Sequence, residues 1–143
     1  MPGVDGIVTL AQVDAQERVF AGAFAAGDLT PTRPLYDPDV VYLSPTTRLF
    51  GWQSPIEGME RTLEFIGLTI ASCARIGYRV DERAVLPGGG SAYTRIVFDW
   101  DAGPSRLRSV YVVVYRYRQG RIGRQELYYD PGADPQVLGP ATG

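Results

Sequence analysis

Three segments in the second half of the chain alternate in character residue by residue: "AYTRIVFDW" (92–100), "RLRSVYVVVYRYR" (106–118) and "RIGRQELYY" (121–129). A period of two sends successive side chains to opposite faces, so each reads as a β-strand with one face turned to a core. "DAGPS" (101–105) and the dipeptide "QG" (119–120) join them. Links this short and rich in turn formers make the three strands consecutive and antiparallel. A further strand, "IASCARIGYRVDERAVL" (70–86), precedes the turn "PGGGS" (87–91) and is long enough to call for a bulge. "PGGGS" resembles a phosphate loop only superficially, because no lysine and no helix follow it.

Such a sheet needs another layer on its inner face. Residues 9–27, "TLAQVDAQERVFAGAFAAG", supply a helix with apolar Leu10, Val13, Phe20 and Phe24, a Thr9 cap and a Gly27 stop. "DLTPTRPLYDPD" (28–39) is proline-punctuated and admits at most a short helix. "VVYLS" (40–44) reads as a short strand, and "PTTRLFGW" (45–52) turns back. Residues 54–66, "SPIEGMERTLEFI", predict a second helix with Ser54 as N-cap, Pro55 in the first helical position and Glu57 closing a capping box. Ile56, Met59, Leu63 and Ile66 then form one apolar face. The order predicts an α+β fold, a cone in which a strongly curved antiparallel sheet wraps over N-terminal helices and encloses a pocket. One domain over residues 1–131 and a loosely ordered tail over 132–143 are expected.

Composition narrows the chemistry. All fourteen basic residues are arginine, and histidine, lysine and asparagine are missing. A Ser-His-Asp triad, a Cys-His pair, a Schiff-base lysine and a Walker lysine are therefore excluded. Histidine metal sites are excluded too, and the lone Cys73 makes neither a disulfide nor a thiolate zinc site. No metal and no cofactor are expected. The net charge of −2 is spread along the chain without a basic run, which argues against a nucleic-acid partner. No apolar stretch is long enough for a membrane span. The short acidic start does not read as a signal peptide, and a single cysteine suits a cytoplasmic setting.

Parity sorts the strand faces. Leu107, Ser109, Tyr111, Val113, Tyr115 and Tyr117 share one face, which reads as inner because arginines mark the other, with Val110, Val112 and Val114 between Arg108 and Arg116. Ala92, Thr94, Ile96, Phe98 and Trp100 form the inner face of their strand. In the last strand Gln125, Leu127 and Tyr129 oppose Ile122, Arg124, Glu126 and Tyr128, and composition does not choose between the two sets.

The segments "LYDPDVVYLSP", "GWQSPIEGMERTLEFI" and "GRIGRQELYYDP", in this order, resemble the nuclear transport factor 2-like superfamily, in particular its SnoaL-like and ketosteroid-isomerase-like branch, over residues 9–131. The resemblance implies a cone-shaped pocket with an acid at one of a few positions. Those positions fall here at Ser44 (Leu43 if the register slips by one), Val113 and Leu127, and none carries an acid. It also implies that Gln125, Leu127 and Tyr129 face the pocket. Glu126 is then expected on the outer face among Arg95, Arg108, Arg116 and Arg124, with a pocket-facing Glu126 through a bulge as the alternative.

On this basis Tyr115, Gln125 and Tyr42 are the candidate catalytic groups, as hydrogen-bond donors to a developing oxyanion. Ser44, Trp52, Phe98, Trp100, Tyr111, Val113, Leu127 and Tyr129 are the candidate substrate contacts. For each tyrosine, and for both tryptophans, plain packing is the competing reading. Arg48 reads as a solvated turn residue. The resemblance implies a small-molecule enzyme of the isomerase, cyclase or lyase type acting on a hydrophobic, oxygenated, polyketide-like substrate. A non-catalytic binding protein is the alternative, and an epoxide hydrolase a third. The valine stripe Val110, Val112, Val114 predicts a homodimer through the outer sheet face.

Overall fold

In the computed structural model, residues 7–73, 76–102, 104–129 and 136–140 are described. Helix α1 (Leu10–Ala26) starts where Thr9 and Gln12 cap each other reciprocally, at 3.2 Å and 2.8 Å. It ends at Gly27, whose φ of 68° is the left-handed conformation glycine tolerates best. A 3₁₀ turn (Thr30–Leu35) leads into strand β1 (Tyr36–Leu43), longer than the 40–44 expected, and a second 3₁₀ turn (Pro45–Phe50) follows.

The second helix departs from expectation at its start. Ile56–Glu57 form a short strand, β2, paired antiparallel with Val41 and Tyr42 of β1. Helix α2 (Met59–Ala71) begins only after Gly58, whose φ of 92° and ψ of 148° belong to a region used almost solely by glycine. The Gly58 amide donates to the Val40 carbonyl at 2.8 Å, so strand pairing takes the backbone that the Ser54 capping box would have used. At its other end α2 runs through Ile70 and Ala71, shortening the next strand to β3 (Ile76–Val85). Thr62, Leu63, Phe65 and Ile66 are its buried residues.

Strands β4 (Ser91–Ala102), β5 (Ser105–Arg118) and β6 (Arg121–Tyr129) form the expected meander with β3. The predicted bulge in β3 lies between Val80 and Glu82. Gln119 and Gly120, both at positive φ, make the two-residue β5–β6 turn. The sheet order is β2-β1-β6-β5-β4-β3. One pair corrects the all-antiparallel expectation: β1 runs parallel to β6, with Tyr42 opposite Gln125. Residues 136–140 form β7, which pairs with Ser105–Arg108 of β5, so that part of the tail is ordered onto the sheet.

Parity places most faces as expected, with one exception. The register between β5 and β6 shifts after Arg116, which pairs with Arg124 while Tyr117 pairs with Ile122. Gly123 is the extra residue. This bulge turns Ile122 inward, where it is fully buried, alongside Gln125 and Leu127. The sheet's concave face, α1 and α2 enclose one main cluster around Phe20, Tyr36, Leu63, Ile96, Tyr111 and Tyr115. On the outer face Val110 is already 7 % exposed within the single chain, which leaves only Val112 and Val114 of the stripe partly open.

Glu126 lies on that outer face, opposite Val114. Its carboxylate pairs with Arg124, stands 3.8 Å from Arg116 and accepts from the Tyr128 hydroxyl. Arg95 pairs instead with Asp81, and Arg108 with Asp99.

Candidate functional site

Between α2, the start of β3 and the concave faces of β4, β5 and β6 lies a cavity of about 150 Å³. Phe24, Phe50, Ile66, Phe98, Trp100 and Leu127 supply its apolar walls. Tyr42, Thr46, Thr69, Ser72, Ser109 and Tyr111 supply hydroxyls, and among the described residues no charged side chain lines it. Trp100 is held in the wall by its indole N–H, which donates to Ser109 Oγ at 3.1 Å. Phe24, Cys73 and Ile76 separate this cavity from an outer groove along the C-terminal ends of α1 and α2. Burial raises the Cys73 thiol pKa, so this cysteine is a poor nucleophile where it stands.

Five of the eleven residues singled out from the sequence meet here: Tyr42, Phe98, Trp100, Tyr111 and Leu127. Ser44 instead caps the 3₁₀ turn, accepting from the Thr46 amide at 3.2 Å. Trp52 packs edge-on to Phe65 and lies under the Arg61 guanidinium at 4.2 Å, outside the cavity. Val113 is core. The side chain of Tyr129 lies outside the described residues. Arg48 is exposed, as a turn residue should be.

Tyr115 and Gln125 face inward but sit deeper, away from the cavity lining. The Tyr36 hydroxyl donates to Gln125 Oε1 at 2.6 Å, which satisfies the buried amide within the protein. Tyr115 donates to a residue that sequence reasoning passed over. Glu17, on the inner side of α1, is only 4 % exposed. Its Oε1 accepts from the Tyr78 hydroxyl at 2.5 Å. Its Oε2 accepts from the Tyr115 hydroxyl and from Gln16 Nε2, each at 3.0 Å. Gln16 is held in turn by Tyr117, whose hydroxyl donates to Gln16 Oε1 at 2.8 Å. The fully buried Thr94 hydroxyl faces the same carboxyl without completing a hydrogen bond.

No ion pair reaches Glu17 among the described residues. Burial without a countercharge disfavours the carboxylate, so its pKa is raised, and the surrounding donors offset only part of this. Tyr36, Tyr78 and Tyr115 are also pushed well above the ordinary phenol value by burial. The sequence did carry a signal. Glu17 follows Val13 by four and precedes Phe20 by three, so it stands on the apolar stripe of α1. An acid on that stripe is buried once the helix docks.

The acid centre and the cavity are separated by one ring. Tyr78 packs against Phe24 and Phe98, both cavity-lining, with centroids 5.1 Å and 5.4 Å apart.

The family model described as the SnoaL-like domain matches residues 17–125. No curated protein matches the chain. Among solved structures, RV0760c from Mycobacterium tuberculosis is 18 % identical, with a TM-score of 0.72 over 91 % of this chain and 98 % of its own. The same protein has been solved in complex with estradiol-17beta-hemisuccinate. A putative polyketide cyclase from Sinorhizobium meliloti is 16 % identical, with a TM-score of 0.63 over 82 % of this chain and 98 % of its own. TerC, co-crystallised with polyporic acid, is 15 % identical, with a TM-score of 0.67 over 85 % and 90 %.

Proposed function

The chain belongs to the SnoaL-like domain family, and on that premise we propose that it is a small-molecule enzyme of the isomerase, cyclase or lyase type, acting on a hydrophobic, oxygenated, polyketide-like substrate. The observation that carries this reading is the cavity, whose described lining has apolar walls, several hydroxyls and no charge. Such a lining favours a compact apolar body bearing a few oxygens and disfavours ions. A cavity of about 150 Å³ matches a single aromatic ring, so a larger substrate extends past Phe24 into the outer groove. The relatives co-crystallised with estradiol-17beta-hemisuccinate and polyporic acid support a ligand of this kind.

Catalysis in this cavity rests on orientation and on hydroxyl donors such as Tyr42 and Tyr111. Epoxide hydrolysis calls for a carboxylate that activates water, from a pocket-facing Glu126 or an Asp at the rim, and Glu126 stands on the other side of the sheet. A second reading, a binding protein without turnover, is favoured by one observation: among the described residues, none that lines the cavity is a carboxylate.

Incubation with aromatic methyl ketones and β-diketones in D₂O, followed by NMR, separates the two readings. Exchange of the hydrogens beside the carbonyl that is lost in Leu127→Trp, which fills the cavity, supports the enzyme. Binding without exchange or rearrangement supports the binder. Absence of binding overturns both.

A further inference from the structure

Resting on the cavity reading above, we infer that Ser109, held by the Trp100 indole, is the specificity-determining residue of this cavity. Its hydroxyl selects a ring-sized ligand whose neutral acceptor oxygen, as in an aryl ketone, an aldehyde or a quinone, turns toward the hairpin end of β4 and β5.

The small hydroxyls of the lining carry the inference. Thr69 donates to the Phe65 carbonyl at 3.2 Å and Ser72 to the Thr69 carbonyl at 2.8 Å, so both protons turn back onto α2. The Thr46 hydroxyl lies 2.7 Å from Ser44 Oγ, outside the lining. Ser109 differs from all three. It lines the cavity and is only 2 % exposed. Its Oγ accepts the Trp100 indole N–H, and its own proton meets no acceptor among the described residues. A buried hydroxyl in that condition carries a standing cost, which an acceptor on the ligand removes.

The fold fixes this donor in place. Ser109 stands opposite Phe98 in the β4–β5 ladder, and Trp100 is the next inward residue of β4. Trp100 is therefore a diagonal neighbour, within reach of an indole. With one lone pair of Oγ taken by the N–H, the Ser109 proton turns away from the indole. Accepting that N–H also polarises the hydroxyl and strengthens the bond it donates. Ser109 is at none of the positions where the resemblance implies an acid. The surroundings define what accepts. Phe24, Phe98 and Trp100 bring rings to the same cavity, and Phe98 meets Tyr111 edge-on with centroids 5.4 Å apart. An aromatic body fits such walls, whereas an anion finds no countercharge in the described lining. A carbonyl or quinone oxygen takes the Ser109 proton and brings none of its own to satisfy.

The test titrates acetophenone labelled with ¹³C at the carbonyl, and α-methylstyrene as its shape-matched hydrocarbon, into the wild type, Trp100→Phe and the double variant Trp100→Phe/Ser109→Ala. The double variant is needed because an indole freed of Ser109 can donate to the ligand itself. The readout is the ratio of the two affinities, since a change of packing alone acts on both ligands alike. The wild type should favour acetophenone about fivefold, the worth of one net hydrogen bond. Its bound carbonyl resonance should lie downfield of the position in hydrocarbon solvent. Trp100→Phe should lower the ratio to about twofold, because the hydroxyl loses its polarising partner. The double variant should bring the ratio to about one and abolish the downfield shift. A wild-type ratio of about one, or an undisplaced resonance, overturns the inference without recourse to any variant. A ratio in Trp100→Phe equal to the wild type, or one in the double variant equal to Trp100→Phe, also overturns it. The first leaves the indole without a part, and the second assigns the proton to another hydroxyl. Binding of both ligands without selectivity overturns this inference and leaves the cavity reading standing. Binding of neither to the wild type overturns that reading, and this inference with it.

Discussion

Glu17 shows how one side chain couples local pattern to the stability of the whole. Its folded pKa is raised by burial above the ordinary 4.5. Below that value both folded and unfolded chains hold the proton. As pH rises beyond it, the unfolded chain releases the proton first, so stability falls until the folded pKa is passed and then levels. Glu17→Gln removes this slope. Urea unfolding across pH should therefore find the variant gaining on the wild type from about pH 4.5 upward, with a constant difference below. Gln125 makes the complementary case. Removing its amide in Gln125→Ala strands the Tyr36 hydroxyl in a site 1 % exposed, and should cost about 1–3 kcal/mol by urea midpoint. Ligand affinity should change less than stability, because Gln125 does not line the cavity.

At the scale of elements, two glycines decide what the strands and helices present. Gly58 lets β2 close onto β1 and release α2 in the next residue. Gly58→Ala has space for its Cβ, the nearest atom being the Pro38 carbonyl oxygen at 3.9 Å, so the cost is backbone strain alone. It should amount to about 1–3 kcal/mol, read as a lowered unfolding midpoint. Gly123 provides the β6 bulge, which brings Ile122 and Gln125 to one face although they lie three positions apart. The same bulge keeps Glu126 opposite Val114, against Arg124 and Arg116. Glu126→Gln should accordingly leave ligand binding and turnover within twofold of the wild type. A large loss in the folded variant would return Glu126 to the site.

The whole molecule is a sheet with a filled concave side and a charged convex one. On the convex side, ion pairs Asp81–Arg95, Asp99–Arg108 and Glu126–Arg124 surround Val112, Val114 and the exposed Tyr128. Val110 is covered within one chain, so the apolar strip is narrower than the sequence suggests. We propose that this strip still seats a second copy, because two strands of the same sequence bring matched valines and complementary charges together. Sedimentation at micromolar concentration should give a dimer that Val112→Arg disrupts. A wild-type monomer, or a dimer formed through the helices, contradicts the proposal.

Alternation alone, in residues 92–129, determined the strands, their sequence of hairpins and the inner faces of β4 and β5, because a pleated strand has no freedom to turn two neighbours the same way. The capping residues of α1 were equally legible, since caps depend on residues three positions apart. The parallel pairing of β1 with β6, the strand at Ile56–Glu57 and the strand at 136–140 were decided by tertiary contacts between segments distant in the chain. The site divides in the same way. Tyr42, Phe98, Trp100, Tyr111 and Leu127 were readable as one concave lining, whereas the depth of Tyr115 and Gln125 was not, because parity gives a face and never a height along the cone. Glu17 lay in plain view on the apolar stripe of α1. Only the packing of that helix against three strands turns an acid on a stripe into a buried carboxyl held by two tyrosines, since desolvation is a property of the surroundings and not of the residue.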